Sequence, residues 1–322
     1  MTYSRIVGTG RYLPERVMTN FDLEKIVDTS DEWIRTRTGV ERRHVCRDDE
    51  TVSDMCIEAA KIAIADAGVS VDEIDLVITG TTSPDLIFPN VSTIIQHSLG
   101  IPACPAFSLE AACTGFIYAL TTADKFIKAG GAKCALVMGA ECITKLVDWT
   151  DRNTCVLFGD GAGAVILTPS EEAGIISCHL GADGQYKDLL YYPAGASKNL
   201  AEAGTDAAAI QMTGNEVFKV AVKTLGRIAS QTLEAAGVSK DELDWLVPHQ
   251  ANIRIIQAMA KRLDMPMEKV ILTVQDHGNT SAASVPMALD VGIRDGRIKK
   301  GELILMEAFG GGFTWGSVLM RL

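Results

Sequence analysis

The chain has 322 residues, 47% hydrophobic and 22% charged, with 41 acidic against 30 basic side chains and a formal net charge of −11. That balance suits a globular protein of about two core-bearing units and excludes a disordered chain. It also argues against general affinity for nucleic acid, whose binding rests on phosphate attraction. No apolar run approaches the roughly 18 residues of a membrane span. The opening MTYSRIVGTGRYLPERV lacks the basic stretch and apolar run of a secretory signal, so a cytoplasmic protein without membrane association is expected. The eight cysteines form no C-x-x-C pair and several sit in apolar runs, so neither disulfides nor a metal site is expected.

In chain order, residues 4–10 (SRIVGTG) read as a short strand into a turn. A dinucleotide fingerprint is rejected there: Leu13 stands where the third glycine of G-x-G-x-x-G belongs, and Pro14 follows where a helix should run. In DTSDEWIRT, Thr29 or Ser30 is placed to cap a helix carrying Trp33. Trp33 with Arg35, Arg37, Arg42 and Arg43 sets a flat ring near several guanidinium groups. Such a set either holds a nucleotide by stacking and phosphate pairing or forms a solvated basic loop. Residues 51–67 carry a clear helical period ended by Gly68, 74–80 form a buried strand and 90–99 a second helix, before Pro102 and Pro105 lead into another strand.

From Thr114 onward, Phe116, Ile117, Leu120, Ala123, Phe126 and Ile127 recur at intervals of three and four, which predicts a helix with Cys113 at its start. Ala111, Ala112, Thr114 and Gly115 leave room for a sharp turn and a close ligand. Amides at a helix start favour a thiolate, so a thiol pKa below the ordinary value of about 8.5 is expected if Cys113 is a nucleophile. The alternative is a small buried hydrophobe. Residues 133–139 read as a buried strand, and 159–168 as a glycine-rich turn into another, its glycines serving either a phosphate or close packing.

The second half repeats the first. A shift of 169 residues lays AGVSVDEIDLV, from Ala67, on AGVSKDELDWL, from Ala236, with seven of the first nine positions identical. The same shift aligns Ala119 with Ala288 and Cys134 with Leu303. Two similar α/β halves, 1–169 and 170–322, are therefore expected, with largely parallel sheets covered by helices. Residues 170–212 have no counterpart at this shift and read as loop-rich. Ligands of such sheets bind at the carboxyl ends of strands. His249 lies just past one such end, Glu110 corresponds to Asn279, and Cys113 to Ala282. Two halves about a pseudo-twofold would bring Cys113, His249 and Asn279 to one cavity. Gly310, Gly311 and Gly312 after a buried strand suit an oxyanion hole, where amides must approach a reacting centre unobstructed. His44, His97 and His179 lack convincing neighbours.

AACTGF around Cys113, PHQANIRI around His249, HGNTSAAS around Asn279 and EAFGGGFTWGS resemble the β-ketoacyl-[acyl-carrier-protein] synthase III family, as do DTSDEWIRTRTG and DWTDRNTCVLFGDGAGA. The resemblance runs almost end to end; Thr114 stands where small residues such as alanine also occur. It implies a thiolase-like α/β fold, duplicated and layered αβαβα, a homodimer, and no metal or other cofactor. It implies that Cys113 accepts an acyl group from a short acyl-CoA and that malonyl-acyl carrier protein then condenses with it. His249 and Asn279 would stabilise the enolate, and amides of Cys113 and Gly311 the oxyanion. Trp33 and Arg152 would stack on the CoA adenine, with Thr29 and Arg37 nearby and Asn252 on the pantetheine. Phe88 resembles the residue that reaches into the partner's acyl pocket. Carrier-protein contacts would come from Gln250, Ala251, Asn252, Ile253, Arg254, Lys261 and Arg262, with Lys219 beside them; otherwise these charges form a solvated helix face. A thiolase would need a second reactive cysteine near the C-terminus, and none follows Cys178. A related condensing enzyme of secondary metabolism, a cysteine hydrolase sharing the Cys–His pair and an inert carrier-binding module remain as rivals.

Overall fold

The computed structural model describes residues 2–205 and 207–322. Two sheets hold the molecule together. The first comprises β1 (Tyr3–Tyr12), β2 (Leu76–Gly80), β3 (Ala106–Leu109), β4 (Ala135–Glu141) and β5 (Gly161–Ser170), in the order β1-β5-β4-β2-β3. The second comprises β6 (Ile175–Ala182), β7 (Trp245–Pro248), β8 (Leu303–Gly310) and β9 (Thr314–Arg321), in the order β6-β9-β8-β7. A parallel bridge from Leu246 to Val270 stands where β3 stands in the first sheet. The two orders are the same.

The sheets are mixed rather than largely parallel. β2 runs parallel to β3 and β4, and β7 to β8, whereas β5 is antiparallel to β1 and β4, and β9 to β8 and β6. Parallel neighbours need a helical crossover. β8 and β9 are joined by a short turn at Gly311–Phe313 and so must pair antiparallel. Residues 170–212 are also less loop-like than expected, because they contain β6. Its counterpart is β1, at the outer edge of the first sheet; the registers match Tyr12 to Gly181 at the same 169-residue shift, but the two strands share too few residues for the relation to show in the sequence.

The helices are α1 (Asp31–Thr38), α2 (Val52–Ala67), α3 (Val91–Ser98), α4 (Gly115–Lys128), α5 (Gly214–Ala236), α6 (Ile253–Arg262) and α7 (Ser284–Arg294). α4 and α7 pack between the sheets, touching strands of both, while α2 and α5 cover the outer faces, which gives five layers, αβαβα. Being covered on both sides, α4 buries Phe116, Ile117 and Leu120 completely, each worth about 1.5–3 kcal/mol relative to exposure. α2 presents Ala59, Ala60 and Ala63 to β1, where a Cβ at Gly8 would lie 2.4 Å from the carbonyl oxygen of Ala63.

Local chemistry is repeated as well. α2 ends at Gly68 and α5 at Gly237, both at φ +66°, where glycine escapes the left-handed penalty. Ser70 with Glu73, and Ser239 with Glu242, then form matching capping boxes. The Asp75 carboxylate accepts the amide of Cys134, and that of Asp244 accepts the amide of Leu303. Most telling are two helix-entering turns, Ala112–Thr114 before α4 and Ser281–Ala283 before α7, each opening on a non-glycine residue with positive φ, Ala112 at +46° and Ser281 at +49°.

The halves meet at these turns without side chains between them. A Cβ at Gly139 would lie 2.3 Å from the carbonyl oxygen of Ala282 across that contact, and within the first half one at Gly80 would lie 2.3 Å from the carbonyl carbon of Gly115 at the start of α4. Gly80→Ala should therefore lower stability by about 1–3 kcal/mol, the usual cost of overpacking, read as a lower denaturation midpoint with unchanged slope.

Candidate active site

Cys113 is buried in the turn before α4. The Glu110 carboxylate accepts the amide of Ala112 at 2.7 Å and shapes that turn. Gly310 packs so closely that a Cβ there would lie 2.6 Å from the Cys113 nitrogen. The hydroxyls of Thr114 and Thr314 lie 2.6 Å apart, tying the turn to the glycine-rich connection between β8 and β9. The expectation of a lowered thiol pKa is overturned: burial pushes the thiol up to about 12, and the nearby Glu141 and Glu110 push the same way against the Ser281 hydroxyl. Desolvation of the anion outweighs the amides of one helix start. The resting residue is a neutral thiol.

His249 follows β7, with its amide donating to the carbonyl of Glu307 at 2.8 Å. Burial pushes its imidazole down to about 3, so the ring is neutral. Nδ1 lies 2.6 Å from the Ser284 hydroxyl, whose oxygen also receives the Gln250 amide at 3.4 Å. A Ser284 hydroxyl that donates to Nδ1 puts the ring proton on Nε2, the tautomer in which Nε2 is a donor. Asn279 is fixed by its own backbone, its amide donating to the Leu157 carbonyl at 2.8 Å and its carbonyl accepting from Gly159 at 3.1 Å. Its side-chain oxygen accepts the Ser281 amide at 2.9 Å, which leaves the NH2 group free to donate.

Cys113, His249, Asn279 and Gly311 line one cavity of about 590 Å³, with Ala251 and Asn252 also on its wall. Ile143, Phe158 and Ile210 form one apolar cluster on that wall, and Leu225, Ile256 and Met259 belong to another. Two polar residues of this cavity, Ser281 and Glu307, and one behind it, Glu141, are not singled out by motif spacing. Ser281 sits 3.5 Å from the Cys113 sulfur. Glu141, fully buried behind Ser281, is pushed up to about 7 by burial against the hydroxyls and amide that hydrogen-bond to it. Glu307 is buried with neither carboxylate oxygen hydrogen-bonded among the described residues, and burial pushes it up to about 8. A signal existed for Glu307 in an acidic residue within an otherwise apolar strand, LILMEAFG.

The aromatic and basic residues sort differently. Ser30, not Thr29, caps α1, while the Thr29 hydroxyl is buried without a partner among the described residues. Trp33 carries the guanidinium groups of Arg37 and Arg152 at 4.9 and 5.0 Å from its ring centre, outside the cavity wall. Arg43 does not join them. It is fully buried and donates to Asn20 and the Val156 carbonyl, while Arg42 pairs with Asp276 and Arg35 with Glu41. Arg254, Lys261 and Arg262 lie exposed on α6 and Lys219 on α5. Gln250 is no surface contact. It is fully buried, its side chain donating to the carbonyls of Pro248 and Ile271 and accepting the amides of Thr273 and Val274, so it braces loops instead. Asn252 caps α6, and Ala251 and Ile253 are half-buried beside it. Phe88 lies outside its own chain's cavity and is 82% exposed, next to Leu86 and Ile87. All eight cysteines are free thiols. Among the described residues no group of three or more His, Cys, Asp or Glu is placed to hold a metal ion, and no helix is long and apolar enough to cross a membrane.

Comparison with known proteins agrees with this architecture. Residues 107–184 match the family model described as 3-oxoacyl-[acyl-carrier-protein (ACP)] synthase III, and residues 233–322 match its C-terminal model. The β-ketoacyl-[acyl-carrier-protein] synthase III of Thioalkalivibrio sulfidiphilus is 59% identical over 100% of both chains. Crystal structures of the 3-oxoacyl-[acyl-carrier-protein] synthase III of Aquifex aeolicus and the β-ketoacyl synthase III of Thermus thermophilus superpose with TM-scores of 0.93 each. They share 49% and 40% identity, covering 99% of this chain and 100% and 99% of theirs. The duplicated, thiolase-like fold and the near-complete identity of span show that this chain belongs to the β-ketoacyl-[acyl-carrier-protein] synthase III family.

Proposed function

We propose that this enzyme starts fatty-acid synthesis in the cytoplasm by joining an acyl group from a short acyl-CoA to malonyl-acyl carrier protein. The observation that carries the reading is a single cavity in which a thiol from one half faces two uncharged donors from the other. Cys113 attacks the thioester, CoA departs, and the acyl group remains on sulfur. The amides of Cys113 and Gly311 hold the oxyanion of that step. Malonyl-carrier protein then enters and loses CO2, and its enolate oxygen receives hydrogen bonds from His249 Nε2 and the Asn279 NH2 group. Because His249 is neutral and its Nδ1 is engaged by Ser284, the pair donates without removing protons. The enolate carbon attacks the acyl carbon and sulfur leaves with the bonding electrons. Primers differ here mainly by fit to the apolar wall, where one methylene is worth about 1–3 kcal/mol.

Glu307 has a part in the second step. Its burial keeps it neutral at pH 7, and a second anion beside the malonyl carboxylate would oppose binding. Trp33, Arg37 and Arg152 present a stacking plate for the CoA adenine, with Thr29 beside it and Asn252 toward the pantetheine. Arg254, Lys261, Arg262 and Lys219 supply positive charge for the acidic carrier on a chain whose total is negative. The exposed Leu86, Ile87 and Phe88 favour a homodimer in which Phe88 reaches the partner's cavity. The two halves, 1–169 and 170–322, divide nucleophile from enolate donors.

With radiolabelled acetyl-CoA the protein should carry label on Cys113 and pass it to a 3-oxoacyl product once malonyl-carrier protein is added. Label that appears only as free acetate would make it a hydrolase instead. His249→Ala should keep the labelling step and slow condensation about 10²–10³-fold, the cost of one enolate donor. Arg254→Glu should lower turnover with malonyl-carrier protein while labelling from acetyl-CoA is unchanged; equal loss of both steps would remove α6 from docking. Condensation by the labelled enzyme should fall as pH rises through about 8, where Glu307 ionises, and Glu307→Gln should abolish that decline.

A further inference from the structure

Glu141 closes β4 in the fully buried interior and takes no part in the chemistry above. Its carboxylate accepts the Thr82 amide at 3.1 Å and the hydroxyls of Thr81 at 3.3 Å, Thr82 at 2.9 Å and Ser83 at 2.5 Å. One more neighbour is Ser281, whose hydroxyl oxygen lies 3.3 Å from Glu141 Oε1 and 3.5 Å from Cys113 Sγ. Ser281 is held at φ +49°, a conformation that non-glycine residues keep only where surroundings impose it. A buried acid, fully surrounded by donors and joined to the nucleophile through one hydroxyl, has the geometry of a proton path.

We propose that Cys113, Ser281 and Glu141 form a proton relay, with Glu141 storing the thiol proton between the two half-reactions. This rests on Cys113 being the acyl acceptor. As sulfur attacks the thioester, its S–H bond breaks and an O–H bond forms on Ser281. The original Ser281 hydroxyl bond breaks, and its proton binds Glu141 Oε1. The electron pair freed on sulfur makes the new S–C bond, and the departing CoA thiolate takes a proton from water. After condensation the S–C bond breaks with its pair left on sulfur, and the same path in reverse returns the stored proton to Cys113. Atoms and charge balance, since the one proton consumed overall is that taken up by CoA.

Burial places Glu141 at about 7, so near neutral pH it both accepts and returns a proton. Cys113 is itself pushed up to about 12, so the transfer completes only as the S–C bond forms. Other ionisable groups facing the pair are Glu110 before the Cys113 turn, the Cys56 thiol of α2 with Asp85 near it, and His249 and Glu307 from the second half.

The test is single-turnover acetylation of the full-length protein by acetyl-CoA, read as acetyl on the Cys113 peptide from about pH 5.5 to about 9.5. Wild type should accelerate through about pH 7 and then level off. Ser281→Ala and Glu141→Gln should each be about a hundredfold slower at neutral pH and lose the levelling. Alanine is tolerated at this backbone angle, because Ala112 holds it in the equivalent turn. A carboxylate acting only through its charge gives the opposite sign, since removing an anion beside a thiol lowers the thiol pKa and speeds acetylation. Faster or unchanged acetylation in both variants overturns the relay. Absence of acetyl from wild-type Cys113 would instead overturn the nucleophile assignment, and the relay with it.

Discussion

The whole arrangement depends on the contact between two turns that the duplication made alike. Ala112 and Ser281 each hold a left-handed backbone at the entrance to a central helix, at a cost on the order of 1–3 kcal/mol apiece. Gly139 lets β4 touch the second turn backbone to backbone, and Gly80 lets β2 lie against the start of α4 within the first half. A larger residue at 139 would part the halves, and the cavity chemistry needs both. The nucleophile comes from the first turn, while Asn279 and Ser281 come from the second. Strain and close approach are thus the same structural fact seen from two sides.

Burial then decides charge. His249, Cys113 and Glu307 would carry charge under other circumstances, yet each is held neutral by loss of water. A cavity of neutral donors accepts a carboxylate, releases CO2 and stabilises a developing enolate without a fixed counter-charge to trap any of them. Orientation takes over the work that charge would do. Ser284 holds one ring nitrogen of the first donor, and a backbone amide sets the face of the other.

Much of this was legible in the sequence. Helix α2 showed its period and its stop at Gly68, because those signals are local. The repeat located the strand ends and so brought distant motifs to one place. What failed was non-local. The antiparallel pairings depend on how β9 enters its sheet, and β6 and its counterpart β1 keep their spacing but share too little sequence to be matched. Gln250 lies beside surface residues in sequence, but its four hydrogen bonds are interior. Arg43 looked like Arg42 and Arg35 until alternation along the short strand Arg42–His44 turned it inward. The Cys113 turn was visible; the depth that reverses its acidity was not. Ser281 lay inside the HGNTSAAS motif without being singled out, and Glu141 in no motif, because their proximity arises only when the halves close.

The order of strands in the second sheet also bears on how the molecule is made. Its interior positions are filled by residues 303–310 and 314–321, while β6, some 120 residues earlier, waits at the edge. On a ribosome, the first sheet can close as soon as β5 has emerged. The second must remain open until nearly everything else has been translated. Cys113 thus spends much of synthesis in a folded half whose partner face is bare, and the interior that neutralises its surroundings is sealed last.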